Sequence, residues 1–74
     1  MSRVNGTCVW FNDKRGYGFI RSDEGKEAFV HYQDIKEKGF KTLYRGQRLS
    51  YDEEKTDRGL KAICVKYDKN FDNL

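Results

Sequence analysis

The sequence predicts a small all-β domain, five short strands curled into a barrel, and three observations carry that prediction. Glycines punctuate the chain at Gly6, Gly16, Gly18, Gly25, Gly39, Gly46 and Gly59, proline is absent, and the runs between are short and rich in β-branched and aromatic residues. Two of those runs, Arg15–Ile20 and Ala28–Tyr32, alternate residue by residue as strands do. A chain of 74 residues is one domain, and it cannot leave two long sheet edges open in water, so the sheet must close.

The elements follow in order. Strands are predicted at about Val4–Asn12, Tyr17–Ser22, Glu27–His31, Arg48–Glu54 and Leu60–Tyr67. Asp13-Lys14-Arg15-Gly16 reads as a tight turn and Ser22 to Lys26 as a hairpin loop. Tyr32 to Ile35 fits one short helical turn with Ile35 pointing inward, and Gly39 to Gly46 is a loop carrying Phe40, Lys41 and Tyr44. Glu54 to Gly59 reads as a loop between the last two strands, and residues 68–74 as a frayed tail after a domain spanning 1–67. The expected interior is Val4, Cys8, Ile20, Ala28, Val30, Ile35, Leu49, Tyr51, Ile63 and Val65. Gly16 and Gly18 suit strong curvature, and a bare Gly18 would also leave room for a flat ligand against Tyr17 and Phe19.

The two alternating runs are unusual because both faces are apolar. Ile20, Ala28 and Val30 fall on one face; Tyr17, Phe19, Phe29 and His31 fall on the other, where a half-buried strand should be polar. With 5 Phe, 5 Tyr and 1 Trp, the chain holds more ring surface than one thin core can absorb. Clustered rings in water mark a binding face. Rings edged by Lys and Arg suit unpaired bases, so single-stranded nucleic acid is the leading partner, with modest sequence selectivity because every base has a π-face. Trp10 and Phe11 are adjacent, so either one is core or a bulge turns both outward; the expectation is an exposed Trp10 with Phe11 at the edge of the site. Lys14 and Arg15 at one edge, and Arg58 and Lys61 at another, are the candidate phosphate contacts.

Composition narrows the rest. Net charge is +3, from 15 Lys/Arg against 12 Asp/Glu, so placement beside the rings counts for more than total charge. Cys8 and Cys64 are read as reduced thiols rather than a bridge, no secretory leader or transmembrane run is visible, and the expected location is the cytoplasm. No metal or cofactor is expected, because the one histidine, His31, and the two cysteines lack paired-ligand spacing. No small-molecule substrate or enzyme activity is expected either: Ser22 and Ser50 lie outside any nucleophile motif, and no phosphate-binding glycine loop occurs. Asp52-Glu53-Glu54 reads as a solvated strand end. The state expected is a monomer, with a strand-swapped dimer as the alternative. The competing function is a peptide- or protein-interaction module using the same aromatic face.

Gly6-Thr7-Cys8-Val9-Trp10-Phe11-Asn12, then Arg15-Gly16-Tyr17-Gly18-Phe19-Ile20, then Phe29-Val30-His31-Tyr32 resemble the cold-shock domain in order and spacing, and Gly39 to Leu43 with Gly46-Gln47 look like its long loop. The resemblance spans roughly residues 4–67 and looks like a free-standing bacterial or phage-borne cold-shock protein. It implies a five-stranded antiparallel Greek-key barrel of the oligonucleotide/oligosaccharide-binding type. It implies binding of single-stranded RNA and DNA, and an RNA chaperone acting on transcription termination and translation in cold or stress. Carried over by position, it implies base stacking by Trp10, Tyr17, Phe19, Phe29, His31, Tyr32 and Phe40, an accessory ring at Phe11, and basic contacts at Arg15 and Arg58, with Lys14, Lys41 and Lys61 as weaker matches. The chain departs from the pattern in having Val9 where a lysine is usual, Tyr17 and Tyr32 for the commoner Phe, and Leu60 where Pro is common.

Overall fold

A computed structural model describes residues 3–37 and 42–68. The chain forms five strands: β1 (Arg3–Asn12), β2 (Tyr17–Ser22), β3 (Glu27–His31), β4 (Arg48–Thr56) and β5 (Gly59–Tyr67). A single 3-10 turn, Tyr32–Asp34, follows β3 and drops Ile35 into the interior. The strands close in the order β1-β2-β3-β5-β4. Each hydrogen-bonded neighbour is antiparallel except β3 and β5, which meet in parallel at Phe29 and Lys61 and seal the barrel.

The core holds Cys8, Ile20, Ala28, Val30, Ile35, Leu43, Leu49, Tyr51, Ala62 and Val65. Two bulges decide who joins it. On β1, Cys8 opposes Ile20 and Trp10 opposes Phe19, so Val9 is one residue too many. The extra residue reverses the alternation: Cys8 points in, and Trp10, two residues later, points out. On β5, Ile63 opposes Asp52 and Lys66 opposes Ser50, so Cys64 and Val65 together face Tyr51. Cys64 takes the left-handed φ of 51° that accommodates the extra residue. This bulge corrects the expected interior: Ala62, not Ile63, is buried, while Val65 still points in. Val4 is half-buried at the margin of the core, and Leu43 fills space that the sequence reading left to a loop.

Two further expectations change. The segment after Glu54 is not a loop: pairing runs on to Thr56 opposite Gly59, leaving a two-residue hairpin turn of Asp57 and Arg58. The Thr56 hydroxyl holds that turn, accepting from the Arg58 amide and donating to the Gly59 carbonyl. The acidic run is not wholly solvated either. Asp52 faces the Arg3 guanidinium at 3.7 Å, and one Glu53 carboxylate oxygen is shielded from solvent.

Gly18 is required by closure. A Cβ there would overlap the Trp10 carbonyl oxygen and sit 2.7 Å from the Phe11 Cα, so β1 can pair this closely with β2 only where no side chain intervenes. The direction a side chain would take from Gly18 is filled by β1, so glycine is needed here for strand pairing.

Candidate nucleic-acid interface

The β2–β3 register builds the site. Tyr17 pairs with His31, Phe19 with Phe29, and Arg21 with Glu27, all on the outward face. β1 brings Trp10 beside this ladder through its pairing with Phe19. Four rings then form a closed circuit: Trp10 to Tyr17 at 5.9 Å, Tyr17 to Phe29 at 5.9 Å, Phe29 to Phe19 at 5.8 Å and Phe19 back to Trp10 at 5.7 Å between centroids. Edge and tilted contacts dominate, the geometry the ring quadrupoles favour. It leaves ring surface in water: Trp10 is 41% exposed, and Tyr17, Phe19, Phe29 and His31 are half-buried.

A second ring pair extends the face. His31 and Tyr32 lie 4.6 Å apart, and Tyr32 is 43% exposed. Gly16 makes room for Tyr32, because a Cβ there would come within 2.5 Å of the tyrosine ring, and the Gly16 carbonyl accepts from the Tyr32 amide at 2.8 Å. His31 Nδ1 accepts from the Gln33 amide at 3.2 Å and caps the 3-10 turn. In the neutral ring the proton therefore sits on Nε2, which leaves a donor on the imidazole's other edge.

Phe11 does not join the circuit. The bulge at Val9 turns Trp10 outward and Phe11 inward, so the two adjacent rings keep opposite faces. Phe11 packs against the core over Gly18, so it supports the barrel instead of widening the stack. Phe40 and Lys41 lie outside the described residues.

The cations around the rings differ in what they touch. Lys14 and Arg15 are exposed on the β1–β2 turn, which Asn12 braces by accepting both of their amides. Neither makes a side-chain ion pair among the described residues, and the same holds for Arg58 at the β4–β5 turn. Lys61 is held by Asp34 at 3.6 Å, a contact that 27 residues of separation hide from sequence reading. Arg21 is engaged by Glu27 at 2.6 Å and closes the lower end of the ring ladder. A groove beside the rings is lined by Phe19, Phe29, Thr56, Arg58, Leu60 and Lys61. Thr56 and Leu60 reach it because the hairpin is longer than the sequence suggested. Among the described residues no group of His, Cys, Asp and Glu could hold a metal ion.

The profile of the family described as the 'Cold-shock' DNA-binding domain matches residues 4–67. The chain belongs to the cold-shock domain family. It is 52% identical over 61 residues to Cold shock protein 1 of Lactiplantibacillus plantarum, covering 82% of this chain and 92% of that one. It is 44% identical over 65 residues to the Major cold shock protein CspA of Pseudomonas aeruginosa, covering 88% and 94%. A solved structure described as Drosophila Unr CSD456 superposes with a TM-score of 0.73 at 21% identity, over 89% of this chain and 26% of that longer one. That likeness is one of fold, and the fold is the barrel described above. Cold-shock domains generally bind nucleic acids. No helix among the described residues is long and apolar enough to cross a membrane.

Proposed function

We propose that this protein binds single-stranded RNA and DNA by stacking unpaired bases on Trp10, Tyr17, Phe19, Phe29, His31 and Tyr32, with Lys14, Arg15 and Arg58 meeting phosphates. The observation that carries the reading is the ring circuit itself: four aromatic side chains in mutual contact on an outward strand face, each keeping surface in water. Base stacking on such rings contributes roughly 1–3 kcal/mol per base and tolerates any sequence. Stacking reads the π-face of a base and not its edge, so selectivity is low. With Val9 on β1 and Lys61 and Arg21 engaged by carboxylates, few cations are available and the rings dominate affinity. A monomeric, cytoplasmic binder of this kind traps unpaired bases and lowers the stability of weak RNA hairpins. That makes it an RNA chaperone able to influence transcription termination and translation in cold or stress. It acts by binding, without catalysis.

The test is a titration of oligothymidylate against Trp10 fluorescence at two salt concentrations. Quenching that saturates at micromolar protein, and weakens modestly with salt, is the expected result. An unchanged emission at low salt contradicts the proposal.

A further inference from the structure

The ring face does not account for Tyr44. This ring is 67% exposed, more than Trp10 or Tyr32, yet its backbone is firmly held. The Tyr44 carbonyl accepts from the Gln47 amide at 2.9 Å, and the Tyr44 amide donates to the Gln47 side-chain oxygen at 3.0 Å. Gly46, at φ 87°, completes the turn. The turn is in turn fastened to β1: the Gly46 amide donates to the Cys8 carbonyl at 2.8 Å, and the Cys8 amide donates to the Gln47 carbonyl at 2.9 Å. The ring is therefore presented to solvent on a turn whose backbone is braced at both ends.

Charge points to what it contacts. Arg45 neighbours Tyr44 on the turn, is exposed, and makes no ion pair with any described residue. The groove beside them is lined by Tyr44, Arg45, Arg48, Tyr67 and Asp68. Arg48 is occupied by Asp23 through two hydrogen bonds of 2.7 and 2.9 Å, so Arg45 is the cation left for an incoming anion. An exposed ring beside an available guanidinium has the chemistry of a base and its phosphate.

Position ties this pair to the ring face. β1 has β2 on one flank and, on the other, β4 preceded by the Tyr44 turn. Trp10 lies two residues beyond Cys8, where the turn is anchored, and faces outward because of the Val9 bulge. Crossing β1 from β2 to the turn spans two inter-strand spacings, about 10 Å. We infer that Tyr44 and Arg45 form an additional nucleotide position, which takes a base and phosphate of a strand that has already covered Trp10. This rests on the ring-face reading and extends it to the far side of β1.

The experiment compares oligothymidylates of about four and about eight nucleotides, lengths inside the range one such barrel accommodates. Wild type, Tyr44→Ala and Arg45→Ala are titrated with each. The Tyr44 side chain is mostly in water, so its truncation leaves the fold intact, which a circular dichroism spectrum checks. Tyr44→Ala is expected to bind the longer strand roughly tenfold more weakly, about 1.4 kcal/mol, and the shorter one as wild type does. Arg45→Ala is expected to reduce the salt slope for the longer strand alone, by about 0.7. If wild type binds both lengths and neither variant shows a length-dependent loss, the Tyr44–Arg45 position is overturned and the ring face stands. If wild type binds neither length, the ring-face reading falls and takes this one with it.

Discussion

Two outer faces of one barrel use their charges differently. On the β1–β4–β5 side, Arg3 donates to the Cys64 carbonyl at 2.7 Å and to the Ser50 carbonyl and hydroxyl at 3.2 and 3.0 Å, and faces Asp52. Arg48 grips Asp23 with two bonds and reaches Thr7 with a third. On the β1–β2–β3 side the strands carry rings, and Lys14, Arg15 and Arg58 around them pair with no described carboxylate. Arg3 and Arg48 brace the fold, whereas Lys14, Arg15 and Arg58 stay available beside aromatic surface, even though Arg21 and Lys61 on that side are held by Glu27 and Asp34. Net charge, at +3, hides this difference. Aromatic surface beside cations unpaired among the described residues is what marks the proposed binding face.

Loss of the rings should have the largest effect. Replacing Phe19 and Phe29 together by Ala should weaken oligothymidylate binding by about 4 kcal/mol, two stacked bases' worth. The variant should remain folded, because both rings keep solvent-facing surface; fluorescence titration and thermal melting check the two halves. Next is Gly18→Ala, which forces a methyl group into the Trp10 carbonyl and the β1 backbone. Backbone cannot yield as a flexible side chain can, so the expected loss is about 3 kcal/mol in urea unfolding. In a domain of this size that is much of the total stability.

A third prediction concerns the interior. Burial pushes the Cys8 thiol up to about 11 and, with the nearby Glu53 and Asp23 carboxylates, the Tyr51 phenol up to about 12. The unfolded chain ionises both groups at lower pH than the folded one, so it binds fewer protons and stability falls as pH rises. The stabilisation is intact below about pH 8.5, and the Cys8 part is lost on the way to pH 11. That part is worth roughly 3 kcal/mol. Urea melts of wild type and Cys8→Ala across this range should show the early alkaline loss only in wild type.

Single cations should separate the two sides by smaller amounts. Arg58→Ala should weaken binding a few-fold and reduce the salt slope by about 0.7, leaving stability unchanged. Arg3→Ala should do the reverse, lowering stability by about 1 kcal/mol through its lost hydrogen bonds and leaving affinity as it was.

Alternation made most of this legible in the sequence. Strands whose faces were both apolar announced the ring face, and local spacing placed Tyr17, Phe19, Phe29 and His31 correctly relative to one another. Failures came where one residue was added to a strand. Nothing in Ala62-Ile63-Cys64-Val65 signals a bulge, because its cause is the fit of β5 against Tyr51 when the barrel closes. Trp10-Phe11 did signal a conflict, but only the register showed that the bulge separates the rings instead of turning both outward. Long-range pairs such as Lys61 with Asp34 were invisible for the same reason: they depend on the parallel seam between β3 and β5.

In the proposed arrangement the ring side binds and the Arg3 side braces. Amide chemical-shift mapping with an oligothymidylate of about four nucleotides tests it most directly. Shifts concentrated at Trp10, Tyr17 to Phe19, Phe29 to Tyr32 and Arg58, with Arg3, Ser50 and Asp52 unmoved, are the predicted result. Shifts centred on Arg3, Ser50 and Asp52, with the ring strands silent, would contradict it.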